Sequence, residues 1–554
     1  MTNALARMRV SWSLDRIATA RAAMAGDALW LDSARGDAEL GERSLVALEL
    51  APVLRASLDG WHLHGADGAV LETGTTGGAA HDAGRPWRAL DAALAAWRDG
   101  APDDPLGFVM AASWEAAALC DPAIAVHPAA NSAVRRREDI VLRVDRVLCG
   151  VVEHDGERIL VARGRDAGDA QRRAQRWVDT LRDALDAGSS PANEASGRDA
   201  APEATPTSAA AASEASPWDL GAADTGAADR NPGDRNPGDR NPGDRNPEDR
   251  NPEDRDAADR HLLAVVDDRA QADHERRVEA VVEAIHAGRV FQACLTYPLV
   301  VRRPGPLLPL YLRLRAAGPT DLGGWLRWGD LEAAMASPER FLSFRDRVVR
   351  ARPMKGTRPR SRHDHGPRMD GATTGDLDLE DVATRDELAA NPKDRAENVM
   401  IVDLLRNDLG RVCAVGSVHV PELFTIETYG TVHQMTSTVE GALRDGVGVF
   451  EAFAACFPPG SMSGAPKVEA CALIAELETE PRGLYAGSVG WIGCDGRAEF
   501  NVVIRSLVAS GPTARWSVGG GVVADSTGTG EWLESRAKLA ALEAVATLAQ
   551  CDAP

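Results

Sequence analysis

Apolar and polar positions divide the chain into three stretches of different character. Between 1 and 187, short apolar runs rich in β-branched and aromatic residues recur at 28–31, 140–144, 151–153 and 159–161, and they predict strands. Helical periodicity replaces them at 87–97 and 167–185. From 188 to 260 the periodicity vanishes, and the pentapeptide Asp-Arg-Asn-Pro-Gly/Glu repeats from Asp229 to Glu253. A proline every fifth residue removes donors that a helix or a ladder needs, so this stretch reads as a solvated linker. From 261 to 554 patterning returns. A helix at 274–287 is stopped by Gly288, and strands with interposed helices follow, an α+β pattern with many short antiparallel candidates.

Composition adds limits to this outline. The chain has 554 residues, 44% of them hydrophobic, which is enough for a large core. Its formal charge of −21 argues against a role on nucleic acid or on an anionic membrane surface. Eight cysteines lie far apart with no CxxC pair and no Cys/His cluster, so neither zinc nor a disulfide framework is expected. No apolar run has the length of a signal or membrane segment, and a reducing, cytoplasmic location is expected.

Candidate chemistry lies in the last stretch. Asn391-Pro392 is an N-cap followed by a first-turn proline, and the helix it opens carries Asp394 and Glu397 on one face as it runs to Gly410. Acids there also complement the helix dipole. A second pair, Glu531 and Glu534, has the same spacing, with Lys538 four residues beyond Glu534. Should the two helices converge, their carboxylates would suit magnesium, a hard cation that keeps positions open for water or substrate oxygens. The segment from Phe457 to Lys467 joins Pro, Gly and Ser to a lysine at a helix start, where free N–H groups can meet an anion. The helix beyond it should bury Val468, Cys471, Ile474 and Leu477.

Lys355 stands among Arg350, Arg352, Arg358 and Arg360. Like charge would disfavour its ammonium form and free an amine nucleophile, although a solvated basic loop would read the same way. Val518–Val523, with Gly519, Gly520 and Gly521, reads as a strand that admits close approach, and Arg505 ends an apolar strand. Together these residues suggest a magnesium-assisted enzyme for a small, multiply anionic, non-nucleotide substrate.

The segments Lys355–Arg360, Asp394–Gly410, Gly464–Lys467 and Gly519–Lys538 resemble the chorismate-utilising enzymes, in order and across nearly all of 270–550. The resemblance implies an anthranilate synthase component I-like α+β fold of two large antiparallel sheets packed face to face with helices outside. The 1–187 region would contribute strands, and 261–554 would form the chorismate-binding catalytic domain. Chorismate and magnesium are implied with it. Glu397 and Glu534 match the family's magnesium ligands, with Asp394 and Glu531 acting through metal-bound water. Glu339 matches the general acid. Ser461, Tyr485, Arg505, Gly521, Lys538 and Lys467 match the substrate shell.

Three positions bear on the reaction. Gln292 stands where water-adding members carry an activating lysine, which makes ammonia the expected nucleophile. Lys355, in a Pro-x-Lys-Gly-Thr-Arg setting, resembles the aminodeoxychorismate synthase component I branch, in which this lysine attacks the ring; anthranilate synthase component I is the alternative. Gln434 replaces a histidine tied to pyruvate elimination. The tryptophan-pocket segment of some relatives reads Gly318-Pro319-Thr320-Asp321-Leu322 here, so tryptophan binding is not expected. The resemblance further implies a separate glutamine amidotransferase subunit supplying ammonia, and a product bound for 4-aminobenzoate and folate. A catalytically silent chorismate-binding protein is the rival from another class; it would bind chorismate without consuming it.

Overall fold

The structure is a computed structural model that describes residues 4–551 except 33–43, 57–59, 65–68, 76–84, 101–105, 122, 125–141, 155–156, 165, 188–267, 304, 361–378 and 430–431. The expected 188–260 linker lies outside the described residues. Met1–Leu185 and Leu262–Pro554 fold together as one unit.

Every strand pairing among the described residues of that unit is antiparallel, and two long strands hold it together. Ser44–Ala56 and Leu142–His154 pair with one another along their length. Their register shifts at Ala47/Glu49, Glu49/Leu50 and Pro52/Leu54. Such bulges bend a strand and sharpen its twist, so one hairpin can feed two diverging sheets. One arm leaves through Ala28–Asp32 and continues by Gly323–Trp328, Leu331–Met335, Ser506–Ser510 and Thr513–Val522 to Gln292–Arg302. The other leaves through Phe108–Ala112 and passes Ser488–Ile492, Ala498–Asn501, Arg340–Arg345 and Val348–Arg352 to Val432–Ala442. The expected pair of sheets is therefore two arms of one hydrogen-bonded network. Their inner faces meet in a shared core, where Ala293, Leu295 and Val522 of the first arm cluster with Phe341, Val349 and Phe500 of the second. At roughly 25 cal/mol per Å² of apolar area removed from water, such burial is the main force closing the sandwich.

Local sequence accounts for the elements that frame the site. The Pro392–Gly410 helix starts where expected, because the Asn391 side chain accepts from the backbone N–H of Lys393 and Asp394 at 3.0 and 3.1 Å. The Asp268–His286 helix begins six residues before the expected 274 and ends at Gly288, whose φ of +75° suits a residue without Cβ. The segments at 140–144 and 151–153 prove to be one strand, Leu142–His154, with residues 140 and 141 outside the described set. Two expectations fail. Val468 is exposed on the Lys467–Leu477 helix, which buries Cys471 and Ile474 and half-buries Leu477, because the helix meets the sheet on a narrower face than its apolar pattern suggests. Arg505 is on no strand; it lies in the crossover between Ala498–Asn501 and Ser506–Ser510, with φ of +50°.

Candidate active site

The far ends of the two arms meet around Lys355. Its strand, Met354–Pro359, pairs with Val432–Ala442 through a register shift between Met354 and Thr357, and Gly356 within the shift has φ of +80°. A side chain at 356 would be strained by that φ, and its Cβ would press on the Leu388 and Asp394 side chains at 2.9 and 3.0 Å. This irregularity separates Lys355 from its arginine neighbours. Arg350 pairs with Glu440, Arg352 with Glu427, Arg358 with Glu387 and Asp394, and Arg360 with Asp381.

The expected electrostatics of Lys355 are therefore reversed. Burial works to lower its pKa, but Glu397 at 3.8 Å, with Cys294, Glu339 and Glu534 near by, outweighs burial and holds it above the ordinary lysine value. Lys355 rests as an ammonium among carboxylates. Above it Gly521 leaves room, because a Cβ there would lie 2.9 Å from the Lys355 Nζ and 2.8 Å from the Gln292 amide nitrogen.

Glu339 lies beside Lys355, Arg505 and the Ser461 hydroxyl. Burial pushes its pKa up to about 7, against the smaller opposing pull of those neighbours. It is thus a carboxylic acid able to give up a proton near neutrality. The Arg505 guanidinium has no hydrogen bond or ion pair among the described residues, and burial lowers its pKa while Tyr429 and Glu339 favour its charge. Tyr485 is buried, and its phenol is raised above the ordinary value by that burial.

The two acidic helices converge. Burial raises Glu397, and Glu534 and Asp394 add to the shift. Burial raises Glu531 as well, with Glu534 adding. Glu534 itself is lowered, because Lys538, Lys355 and Lys393 outweigh its burial. Lys538 donates to Glu534 at 2.9 Å and to the Gly519 carbonyl at 2.8 Å. A Cβ on Gly520 would come within 2.6 Å of the Glu531 Oε2, so the glycine strand also makes room for the acids.

Among the described residues no three His, Cys, Asp or Glu side chains are drawn close enough to hold a metal ion as they stand. The donor chemistry nevertheless fits a hard cation: the groups are all carboxylates, they repel one another, and the buried Glu531 Oε2 has no hydrogen-bond partner. Other buried atoms are similarly open, namely both polar atoms of the Gln292 amide, the Ser461 Oγ and the Gln434 Oε1. Unpaired buried polar atoms are costly, and their gathering here marks a pocket made for a polar ligand.

A family model described as chorismate binding enzyme matches residues 225–544. The chain belongs to this family. Among curated proteins, an aminodeoxychorismate synthase of Streptomyces pristinaespiralis is 45% identical over 250 residues, which cover 45% of this chain and 32% of that one. Aminodeoxychorismate synthase component 1 of Bacillus subtilis is 38% identical over 277 residues, 49% of this chain and 55% of that one. Anthranilate synthase component 1 of Methanothermobacter marburgensis is also 38% identical, over 278 residues, 50% of this chain and 57% of that one. The matched region thus spans from a third to somewhat over half of these relatives. The solved anthranilate synthase component I of Streptococcus pneumoniae superposes with a TM-score of 0.60 at 21% identity, covering 90% of this chain and 92% of that one, and it supports the α+β fold.

One expected substrate residue of this chorismate binding enzyme points elsewhere. The Lys467 ammonium donates to Asp408 at 2.8 Å and to the carbonyls of Cys456 and Pro458 at 2.6 and 2.9 Å. All three of its donors are committed, so it fastens the turn before Ser461 instead of facing an anion. Lys393 escaped sequence reasoning; it sits 3.9 Å from Glu397 and favours the charged forms of Glu531 and Glu534. Its place one turn before Glu397 was the available signal.

Proposed function

We propose that this chain is the chorismate-aminating component of an aminodeoxychorismate synthase, converting chorismate and ammonia to 4-amino-4-deoxychorismate. The observation that carries the proposal is Lys355 itself, turned by a bulge into the pocket beneath Gly521 and beside Glu339. Anthranilate synthase component I is the second reading, kept because a relative of that name matches at 38% identity, as aminodeoxychorismate synthase component 1 of Bacillus subtilis does. A lysine with a place in covalent chemistry favours the first.

Arg505 and Lys538 supply positive charge for the carboxylates of chorismate, while Tyr485 and the Ser461 hydroxyl border the ring. Magnesium would be held by Glu397 and Glu534, with Asp394 and Glu531 through water, and when bound it would neutralise a substrate carboxylate. Lys355 must lose a proton before it can attack. Glu339, coupled to it and titrating near neutrality, can accept that proton and then deliver it to the departing ring hydroxyl, which leaves as water. The neutral amine bonds to the ring as that hydroxyl leaves, and ammonia then displaces the lysine. Gln292 presents its open amide to this space, where it can hold a small nucleophile without acting as a base.

A glutamine amidotransferase subunit would supply the ammonia, and 4-aminobenzoate for folate would be the destination. No described helix is long and apolar enough to cross a membrane. Mass-resolved product analysis after incubation with chorismate, magnesium and ammonium tests the proposal. A product that keeps the enolpyruvyl group and gains an amine supports it. Anthranilate with pyruvate would move the chain to the second reading, and chorismate bound but unconsumed would overturn both.

A further inference from the structure

Behind the pocket lies a buried ion pair that carries no expected role. Arg482 and Glu478 are almost wholly inaccessible, and the guanidinium grips the carboxylate at both ends, Nε to Oε2 at 2.9 Å and Nη2 to Oε1 at 2.7 Å. Its remaining donors do not stay within the pair. Nη1 reaches the carbonyl of Met462 at 2.7 Å, and Nη2 also reaches the carbonyl of Cys294 at 2.7 Å. Met462 follows Ser461 in the Gly460–Met462 turn. Cys294 lies opposite Gly521 in the ladder, two residues beyond Gln292, and its own N–H donates to the Ser463 carbonyl at 2.8 Å.

Glu478 is drawn on from the same side, since its Oε1 accepts from the backbone N–H and the hydroxyl of Thr296 at 2.9 and 2.8 Å. The fourth wall comes from the N-terminal half. The Arg482 carbon CZ stands 4.1 Å from the centre of the Trp114 ring, Trp114 N–H donates to the Gly483 carbonyl at 2.8 Å, and the buried Glu115 accepts from Gly483 N–H at 3.2 Å. Fixed donors that a planar fork can satisfy all at once are a means of holding several backbone segments in one geometry.

We infer that Arg482, seated between Glu478 and the Trp114 ring, is a positioning residue for the amination of chorismate. It locks the Ser461 turn to the strand carrying Gln292 and Cys294, and so sets the distance between the Ser461 hydroxyl and the space over Lys355. The inference rests on the function proposed above. It also gives the N-terminal half a part in the chemistry, because Trp114 and Glu115 complete the seat. Sub-ångström placement of this kind is worth a great deal, as a 1 Å misplacement can cost about 100-fold in rate.

The test compares Arg482→Lys, which keeps the charge and loses the fork, with Arg315→Met, which breaks another pair by removing the arginine from the buried Asp32. Initial rates of chorismate consumption with ammonium, melting temperature and chorismate binding to the full chain are measured for each. Arg482→Lys should lower kcat by about 100-fold. Chorismate KM should move less than about threefold, because the carboxylate-binding cations are untouched. Trp114→Leu should lower kcat in the same sense by less. Arg315→Met should lower the melting temperature with kcat of the folded protein unchanged. A role confined to stability would make the two arginine variants alike, with reduced melting temperature and unaltered kcat, and would overturn the inference. If the unaltered chain does not consume chorismate, it is the proposed function that fails, and that outcome is separate because it precedes any substitution.

Discussion

Glu339 and Glu531 of the pocket are nearly as deep as the carboxylates of the shared sheet, yet their surroundings differ. Asp145, on the hairpin feeding both arms, is wholly buried and meets Arg143 at 2.7 Å and Arg55 on its other oxygen. Glu332 takes the N–H of Leu307 at 2.9 Å, the Trp325 indole N–H at 2.8 Å, and Arg303. Asp32 accepts from Ser44 and Tyr311 and pairs with Arg315. Both oxygens of each of those acids have partners. In the pocket, Glu531 keeps a buried oxygen free and Glu339 is driven toward its neutral form, beside the open amide of Gln292 and hydroxyl of Ser461. Full pairing secures a fold, whereas incomplete pairing leaves interactions for a ligand and its transition state.

The largest expected effect removes the group at the centre of the unfinished region. Lys355→Ala should lower aminodeoxychorismate formation by about 1,000-fold or more, since the covalent route is lost. It should also lower stability modestly, because the carboxylates that hold the lysine charged lose its ammonium as counter-charge. Steady-state assay and thermal melting of the same preparation check both halves. Unchanged product formation would remove Lys355 from the chemistry.

The opposite region should respond in the opposite way. Asp145→Ala takes the shared buried counter-charge from Arg55 and Arg143, leaving only Asp27 near them, and Arg143 is almost as inaccessible as the aspartate. Breaking such a pair from one side costs about 3 kcal/mol or more. Chemical denaturation should show that loss, with little change in kcat per folded molecule. A kcat loss with normal stability would erase the distinction between the regions.

How far each region could be read in advance follows from the range of the forces that build it. The Pro392–Gly410 helix was legible to the residue because its start is decided by Asn391 and Pro392 within one turn. The carboxylate pairs were legible as pairs for the same reason of local spacing. The charge of Lys355 was not, since it depends on a strand irregularity that turns the lysine toward Glu397 while its arginine neighbours find acids elsewhere. Lys467 was misread because the carbonyls that consume its donors are oriented only once the turn is folded. The seat of Arg482 was invisible, as it is made of residues as distant in sequence as Trp114 and Cys294.

The smallest effect joins the two regions, because Glu339 carries its function at a cost to stability. Its ionised form is the one that can take the proton from the Lys355 ammonium, so kcat/KM should be level above about pH 7 and fall about tenfold per unit below it. Folding responds with the opposite sign. The folded pKa of about 7 exceeds the ordinary carboxyl value of 4.5, so between them the folded state holds a proton that the unfolded chain has released, and stability declines as pH rises through that window. Glu339→Gln removes the penalty. Above pH 7 it should be inactive yet more stable than the unaltered chain by about 3 kcal/mol, while below pH 4.5 the two should melt alike. Melting across pH 4 to 8 measures this directly. A stability difference independent of pH would mean that the carboxyl is as fully satisfied as Asp145, and the contrast between the two regions would not extend to Glu339.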